Sequence, residues 1–473
     1  MTCTLIAASI VSPAAQAPDR SKPPASGPPP ALKLPAIQKR QLSNGLPVWL
    51  VELHEVPVVQ VNLLVLGGSA DDPPGKFGIA SLMAGMLAEG AGSRNSLDIA
   101  DAIDFLGADL SASAAVNSTG IRLHVPVARL ADALPIMADV AQRPTFPVAE
   151  LERIRQQRLT SLLQARDDPS TMAALAFSRV LYGRDHRFGT ATMGTADTIK
   201  GFTVQDLQAF YNSTVRPETS TLIVAGDIAP DKALPLLETN FGKWKAASPP
   251  PARPALTSPG QPVTRVVYLV DKPNAPQSQI RIGWIGVPRA TPDYFPLIVM
   301  NTILGGSFSS RLNLNLREKH GYTYGASSNF DMRLTAGPFT AAAGVQTDKT
   351  AEALAEFFNE LNGILKPVPP DELARAKNYV ALRFPSTFES TSDFSRRLED
   401  MILFKLPDDY YSRYVQNIQA ILAADVGRVA QKYLAPDKFA VVVVGDKKVI
   451  EPGIRALNLG AIKEMSIDEI FAN

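Results

Sequence analysis

Four histidines, His54, His124, His186 and His320, and one cysteine, Cys3, are the obvious candidates for nucleophilic or metal chemistry. A bound transition metal needs three or four imidazole, thiolate or carboxylate donors at one point. No two of these histidines lie close in sequence, so a site built on clustered His is not expected. A lone cysteine excludes an internal disulfide, a Cys-based zinc site and an iron–sulfur cluster. His124 alternates with Ile121, Leu123 and Val125, which assigns it to the opposite, solvated face of a strand. His54 falls in a polar turn with Glu52 and Glu55. Neither is expected to carry function.

The elements that must position any site come from two globular halves. Of 473 residues, 45% are apolar and 20% charged, enough for sizeable cores. Lys and Arg (47) balance Asp and Glu (46) to a net charge of +1, which gives no electrostatic reason for a nucleic-acid or anionic-membrane partner. No stretch is long and apolar enough to predict membrane insertion. Residues 1–17 end in Ala15-Gln16-Ala17 after an apolar run, which predicts a signal peptide and a soluble protein that is periplasmic or otherwise exported. Residues 18–35 form a Pro-rich tether. A second Pro-rich stretch, 246–262, has six prolines in 17 residues and separates an N-terminal domain, 36–245, from a C-terminal domain, 263–473.

The halves repeat one another. DLQAFYNSTVRPETSTLIVAGD, from Asp206 to Asp227, matches DVGRVAQKYLAPDKFAVVVVGD, from Asp425 to Asp446, at an offset of 219. Glu150-Leu151 and Glu372-Leu373 repeat at 222. Each long copy reads as a helix, a proline-set turn and a buried strand, and this period indicates duplication. Further strands are expected at Val48–Leu53, Val58–Leu66, Ile121–Val127, Arg265–Val270 and Gln279–Gly286, with an amphipathic helix over Gly78–Glu89. Without regular βαβ alternation, the fold class is α+β: two duplicated halves, each a mixed, largely antiparallel sheet packed with helices.

At Asp72–Met86 the sequence is DPPGKFGIASLMAGM, followed by Ile99-Ala100 and Phe105-Leu106-Gly107. This segment resembles the insulinase/pitrilysin family of zinc peptidases, particularly the subgroup related to mitochondrial processing peptidase. There the helix carries His-x-x-Glu-His, in which two His hold zinc and the Glu activates water. Matching Gly78-x-Ala80 and Met86 puts these positions at Ser81, Ala84 and Gly85. The family's third ligand, a Glu before an Asp-x-Pro-like turn, falls at Thr160 or Ser161. None of these side chains replaces the family's ligands or base. The resemblance therefore implies no cofactor in this chain.

Leu304–Tyr324, LGGSFSSRLNLNLREKHGYTY, resembles the family's most recognisable C-terminal segment. In the family an Arg, and a Tyr seven residues later, reach the zinc site across a clam-shell chamber; by position they are Arg317 and Tyr324. Such donors stabilise the oxyanion of peptide hydrolysis. The resemblance implies a non-catalytic subunit forming half of the chamber, inactive alone. A homologous partner would bear the zinc, and Arg317 and Tyr324 would serve that active site in trans on peptide substrates. Only Gly305-Gly306-Ser307 stands where the related non-zinc subunit has a longer glycine-rich loop, so strand addition is the expected way of holding substrate. The competing reading is an inactive scaffold or peptide-binding subunit.

Overall fold

A computed structural model describes Gly27 and residues 32–246, 256–257 and 259–472. The expected signal peptide, much of the tether and the middle of the Pro-rich linker lie outside the described residues. The first sheet consists of β1 (Gln38–Gln41), β2 (Pro47–Glu52), β3 (Val58–Val65), β4 (Asp109–Ala114), β5 (Thr119–Pro126) and β6 (Ser220–Gly226), in the spatial order β1-β2-β6-β3-β5-β4. The second consists of β7 (Val266–Asp271), β8 (Gln277–Ile285), β9 (Thr323–Met332), β10 (Ala336–Gln346), β11 (Ala440–Gly445) and β12 (Ala461–Glu464), in the order β12-β7-β11-β8-β10-β9.

The two orders superimpose strand for strand except at one edge. β2 runs parallel to β6, and β7 runs parallel to β11. The next three pairings in each sheet are antiparallel, ending at free edges β4 and β9. At the other edge β1 is antiparallel to β2, whereas β12 is parallel to β7. The duplication is therefore architectural, and each sheet is mixed and largely antiparallel.

The helices explain why β6 and β11 are buried along their full length rather than alternating. One face of each sheet packs on its own half's helices, with Leu222 and Val224 in one core and Val441 and Val443 in the other. The second face is covered by a helix from the opposite half. α3 (Pro169–Tyr182), which follows α2 (Val148–Ala165), lays Met172, Ala173, Ala176 and Phe177 against Val442, Val444 and Ile285 of the second sheet. α6 (Thr391–Phe404), which follows α5 (Pro370–Arg383), lays Leu398 and Met401 against Val51, Leu64 and Ile223 of the first. Strands buried on both faces read as unbroken apolar runs, as these do. Polar contacts reinforce the exchange: Glu399 on α6 accepts from Arg122 (2.9 Å) and from Asn62 (2.8 Å).

α4 (Tyr294–Leu304) is anchored to the C-terminal repeat helix, Ala423–Tyr433, through buried Asp293. Its carboxylate accepts from Arg428 (2.8 Å), Lys432 (2.9 Å) and the Tyr433 hydroxyl (2.6 Å). Burial alone would raise this carboxyl; the three donors more than reverse it, leaving it pushed down to about 2. A depressed value stabilises the fold above the ordinary aspartate range, and that stability is lost as pH falls toward 2. Because Arg428 and Lys432 are half-exposed, the expected contribution is about 1 kcal/mol. Asp293→Asn should lower the urea midpoint at pH 7, with the deficit shrinking at pH 3. A deficit independent of pH would show that packing, not charge, is at stake.

Among the described residues no helix is long and apolar enough to cross a membrane.

Candidate functional site

The helix that bears the family motif is α1, Ile79–Met86. Ile79, Ala80, Leu82, Met83 and Met86 are buried, so the chain commits this face to the core. Its N-terminus is held by Asp72, which accepts from the N–H of Gly78 (2.6 Å) and of Ala80 (3.0 Å). Asp72 also pairs with Arg187 at 2.8 Å, and both side chains are almost fully buried. Arg187 donates further to the carbonyl of Ser69 (2.5 Å) and to those of Thr190 and Ala191. Burial raises the Asp72 carboxyl to about 6 against the opposing pull of Arg187 and the two N–H groups. Gly78 has φ +103°, and a Cβ there would stand 2.4 Å from the Met193 carbonyl oxygen. Only glycine fits this close approach.

Ser81 and Gly85, one turn apart, form the outward strip of α1, while Ala84 is buried. The strip is occupied from α2 by a residue that the sequence reading did not single out. Arg158 Nη2 donates to the Ser81 carbonyl (2.8 Å) and hydroxyl (3.2 Å). A Cβ on Gly85 would lie 3.5 Å from the same nitrogen. Nη1 of Arg158 is buried without a hydrogen-bond partner. Burial lowers the guanidinium to about 10, so it stays charged at neutral pH. Thr160 and Ser161, the expected third-ligand positions, bond back to Gln156 and Gln157 of their own helix. This donor set does not fit zinc: it offers hydroxyls, a methyl and a fixed cation.

Rebuilding the motif on α1 alone should therefore fail. The Ser81→His, Ala84→Glu, Gly85→His variant is expected to retain no stoichiometric zinc after dialysis, because the Arg158 charge faces the site and repels a dication. Stoichiometric zinc measured by mass spectrometry with Arg158 intact would show that the guanidinium does not hold the cleft.

The histidines place differently from one another. His54 is exposed and its Nδ1 lies 2.7 Å from Asp227. His124 does lie on the face opposite Ile121, Leu123 and Val125, but it is half-buried rather than solvated, with Nδ1 3.2 Å from the Gln60 side chain. The difference arises because α6 covers that face of the sheet. Among the described residues no three His, Cys, Asp or Glu side chains come together as a metal site.

The C-terminal segment is built on three irregularities. A Cβ on Gly305 would stand 2.3 Å from the Ser328 backbone nitrogen, so glycine lets the end of α4 press against β9. Gly305-Gly306-Ser307 is thus a packed corner. Next, Leu314–Lys319 is a π-helix, a rare form frequent at functional sites. It is held by Asn315, whose amide reaches Glu356 (2.8 Å) and Glu360 (2.6 Å). It presents Arg317 with 40% of its side chain exposed, 3.2 Å from Glu318 and with Cζ 4.8 Å from the centre of the Phe308 ring. Finally, the β9–β10 register slips between Thr323 and Ala326. Ala326, Ser328 and Phe330 point inward, so regular alternation would bury Tyr324 with them. The slip turns Tyr324 outward instead, 86% exposed. Among the described residues no hydrogen bond engages its hydroxyl, and none joins Arg317 or Tyr324 to α1.

Two free strand edges accompany these remnants. β4 packs beside α1, and β9 beside the π-helix. An extended peptide can add to either edge through main-chain hydrogen bonds.

Residues 48–193 match the insulinase family, peptidase family M16, and residues 201–380 match the peptidase M16 inactive domain. The chain belongs to this insulinase-like M16 family. Among its relatives is an uncharacterized zinc protease of Mycobacterium leprae, 27% identical over 355 residues, spanning 74% of this chain and 78% of that protein. The crystal structure of a peptidase M16 inactive domain from Pseudomonas fluorescens aligns with a TM-score of 0.80 and 27% identity, over 86% of this chain and 98% of that one. The periplasmic protease PqqL from Escherichia coli shares the fold at a TM-score of 0.73 and 18% identity, covering 90% of this chain but 50% of PqqL.

Proposed function

We propose that this chain is the non-catalytic subunit of a heterodimeric zinc metallopeptidase. In this reading a homologous zinc-bearing chain supplies the metal, and Arg317 and Tyr324 bind substrate and stabilise the transition state there. The observation that carries it is a contrast: Arg158 fills the degenerate strip on α1, while two backbone irregularities bring Arg317 and Tyr324 outward with little to hold them. A π-turn and a strand slip both depart from regular backbone geometry, and such features commonly re-aim functional side chains. The match to half of PqqL supports a shell completed by a second chain of this size. Peptides would be held by strand addition at β4 or β9. The PqqL likeness and the leader-like residues 1–17 support a periplasmic location.

A scaffold or peptide-binding role without hydrolysis is the second reading. It is favoured by the contacts Arg317 makes with Glu318 and Phe308, which keep the guanidinium partly engaged within its own chain.

The experiment is a tagged purification from the soluble exported fraction of the native host, with metal content and peptide cleavage assayed in the eluate. A co-eluting chain of similar size, zinc and chelator-sensitive cleavage are expected. An eluate lacking partner, zinc and activity would move the assignment to the scaffold.

A further inference from the structure

Away from both remnants, a pocket of about 230 Å³ lies between the start of α4, the α5–α6 connection, α6 and the turn that follows it. Its walls are aromatic: Tyr294, Phe384, Phe404, Tyr410 and Tyr414. Phe384 and Tyr414 stack at 4.2 Å with planes 6° apart, forming a flat slab. Arg289 and Arg397 also line the pocket, with Asp400 as the one carboxylate.

The charges do not balance. Arg397 pairs with Asp400 at 3.1 Å, and its Nε is buried with no partner. Arg289 makes no ion pair among the described residues. Its Cζ lies 3.5 Å from the centre of the Tyr294 ring and 5.2 Å from that of Tyr410, and Nη2 donates to the Tyr410 hydroxyl at 2.6 Å. Burial holds the phenols of Tyr410, Tyr411 and Tyr414 above their ordinary range, so at neutral pH they remain O–H donors. The pocket thus sets two guanidinium groups against one carboxylate and carries one positive charge that no ion pair matches. A half-buried guanidinium without a carboxylate partner favours an anion, and aromatic walls favour a flat apolar body.

We propose that this pocket binds a small flat monocarboxylate of about benzoate size, its carboxylate on Arg289 and its ring between the aromatic walls. The volume corresponds to roughly seven or eight waters, which suits a single ring with its carboxylate. A neutral ligand would leave Arg289 unmatched, and inorganic phosphate would leave the rings unused. The proposal stands apart from any role of the chain in peptide cleavage.

Titration calorimetry on the full chain with sodium benzoate, and with benzamide as the neutral shape match, tests it. Saturable benzoate binding is expected, with benzamide at least tenfold weaker. Arg289→Met should weaken benzoate at least tenfold, and Thr387→Phe, which fills the pocket from its wall while leaving both arginines, should also abolish binding. No saturation by benzoate, equal binding of benzamide, or unchanged benzoate affinity in a folded variant overturns the proposal. If Arg289→Met does not fold, the wild-type comparison and Thr387→Phe still decide.

Discussion

If the chain pairs with a zinc-bearing partner as proposed, Arg317→Ala is expected to lower the kcat of that two-chain enzyme by about 10²–10³-fold, the loss of roughly 2.7–4 kcal/mol typical of one oxyanion donor. The reason is differential. A guanidinium that holds the oxyanion more tightly than the ground-state carbonyl lowers kcat when it is removed, and the part of its contact already made to bound substrate shows as a rise in KM. Tyr324→Phe removes one hydroxyl and keeps the ring, so the same split should follow with a smaller loss. Tyr324 is exposed, Arg317 is half-buried, and both lie outside the cores, so neither change should disturb folding. Pairing, followed by size-exclusion chromatography, should be unaltered. A variant that pairs normally and turns over at the full rate would falsify the role assigned to Arg317.

Arg187→Met should cost about 3–5 kcal/mol of stability at neutral pH, since it strands the Asp72 carboxylate in the core. Asp72 would keep the two N–H donors that anchor α1 but lose its counter-charge. The pH dependence has a definite sign. The carboxyl already lies above its ordinary value, at about 6. A raised carboxyl favours the fold fully at pH below the unfolded value, and this contribution disappears as pH rises through the folded one. Without Arg187 the folded value climbs further, so the deficit in urea midpoint should be largest near pH 7.5 and narrower at pH 5. A deficit equal at the two pH values would assign the loss to the carbonyls that Arg187 bridges, not to Asp72.

Much of the fold could be read from residue order because strand burial leaves a simple trace. β3 and β6 are buried along almost their whole length, and β5 alternates. The repeat of Asp206–Asp227 at Asp425–Asp446 located β6 and β11. The exchange of α3 and α6 left no such trace. An apolar stripe such as Leu398 with Met401 says that a helix is buried, not which half buries it. Arg158 was hidden for a related reason: a lone arginine on a helix usually snorkels to water. Its spacing from Leu151, Ile154 and Leu162 nevertheless sets it on the buried stripe, and that was the available signal. Tyr324 shows the reverse failure. Period-two alternation would turn it inward with Ala326, and only the register slip against β10 sends it out.

The exchanged helices also set a timetable for biogenesis. β6 is complete at Gly226, whereas the α6 residues that cover Val51, Leu64 and Ile223 are not finished until Phe404. At ribosomal speeds of about 5–20 residues per second, the first sheet waits roughly 10–35 seconds with one apolar face bare. Such a nascent chain is a client for holding chaperones, and a stop codon anywhere between the two sheets yields an aggregating fragment rather than a smaller working domain.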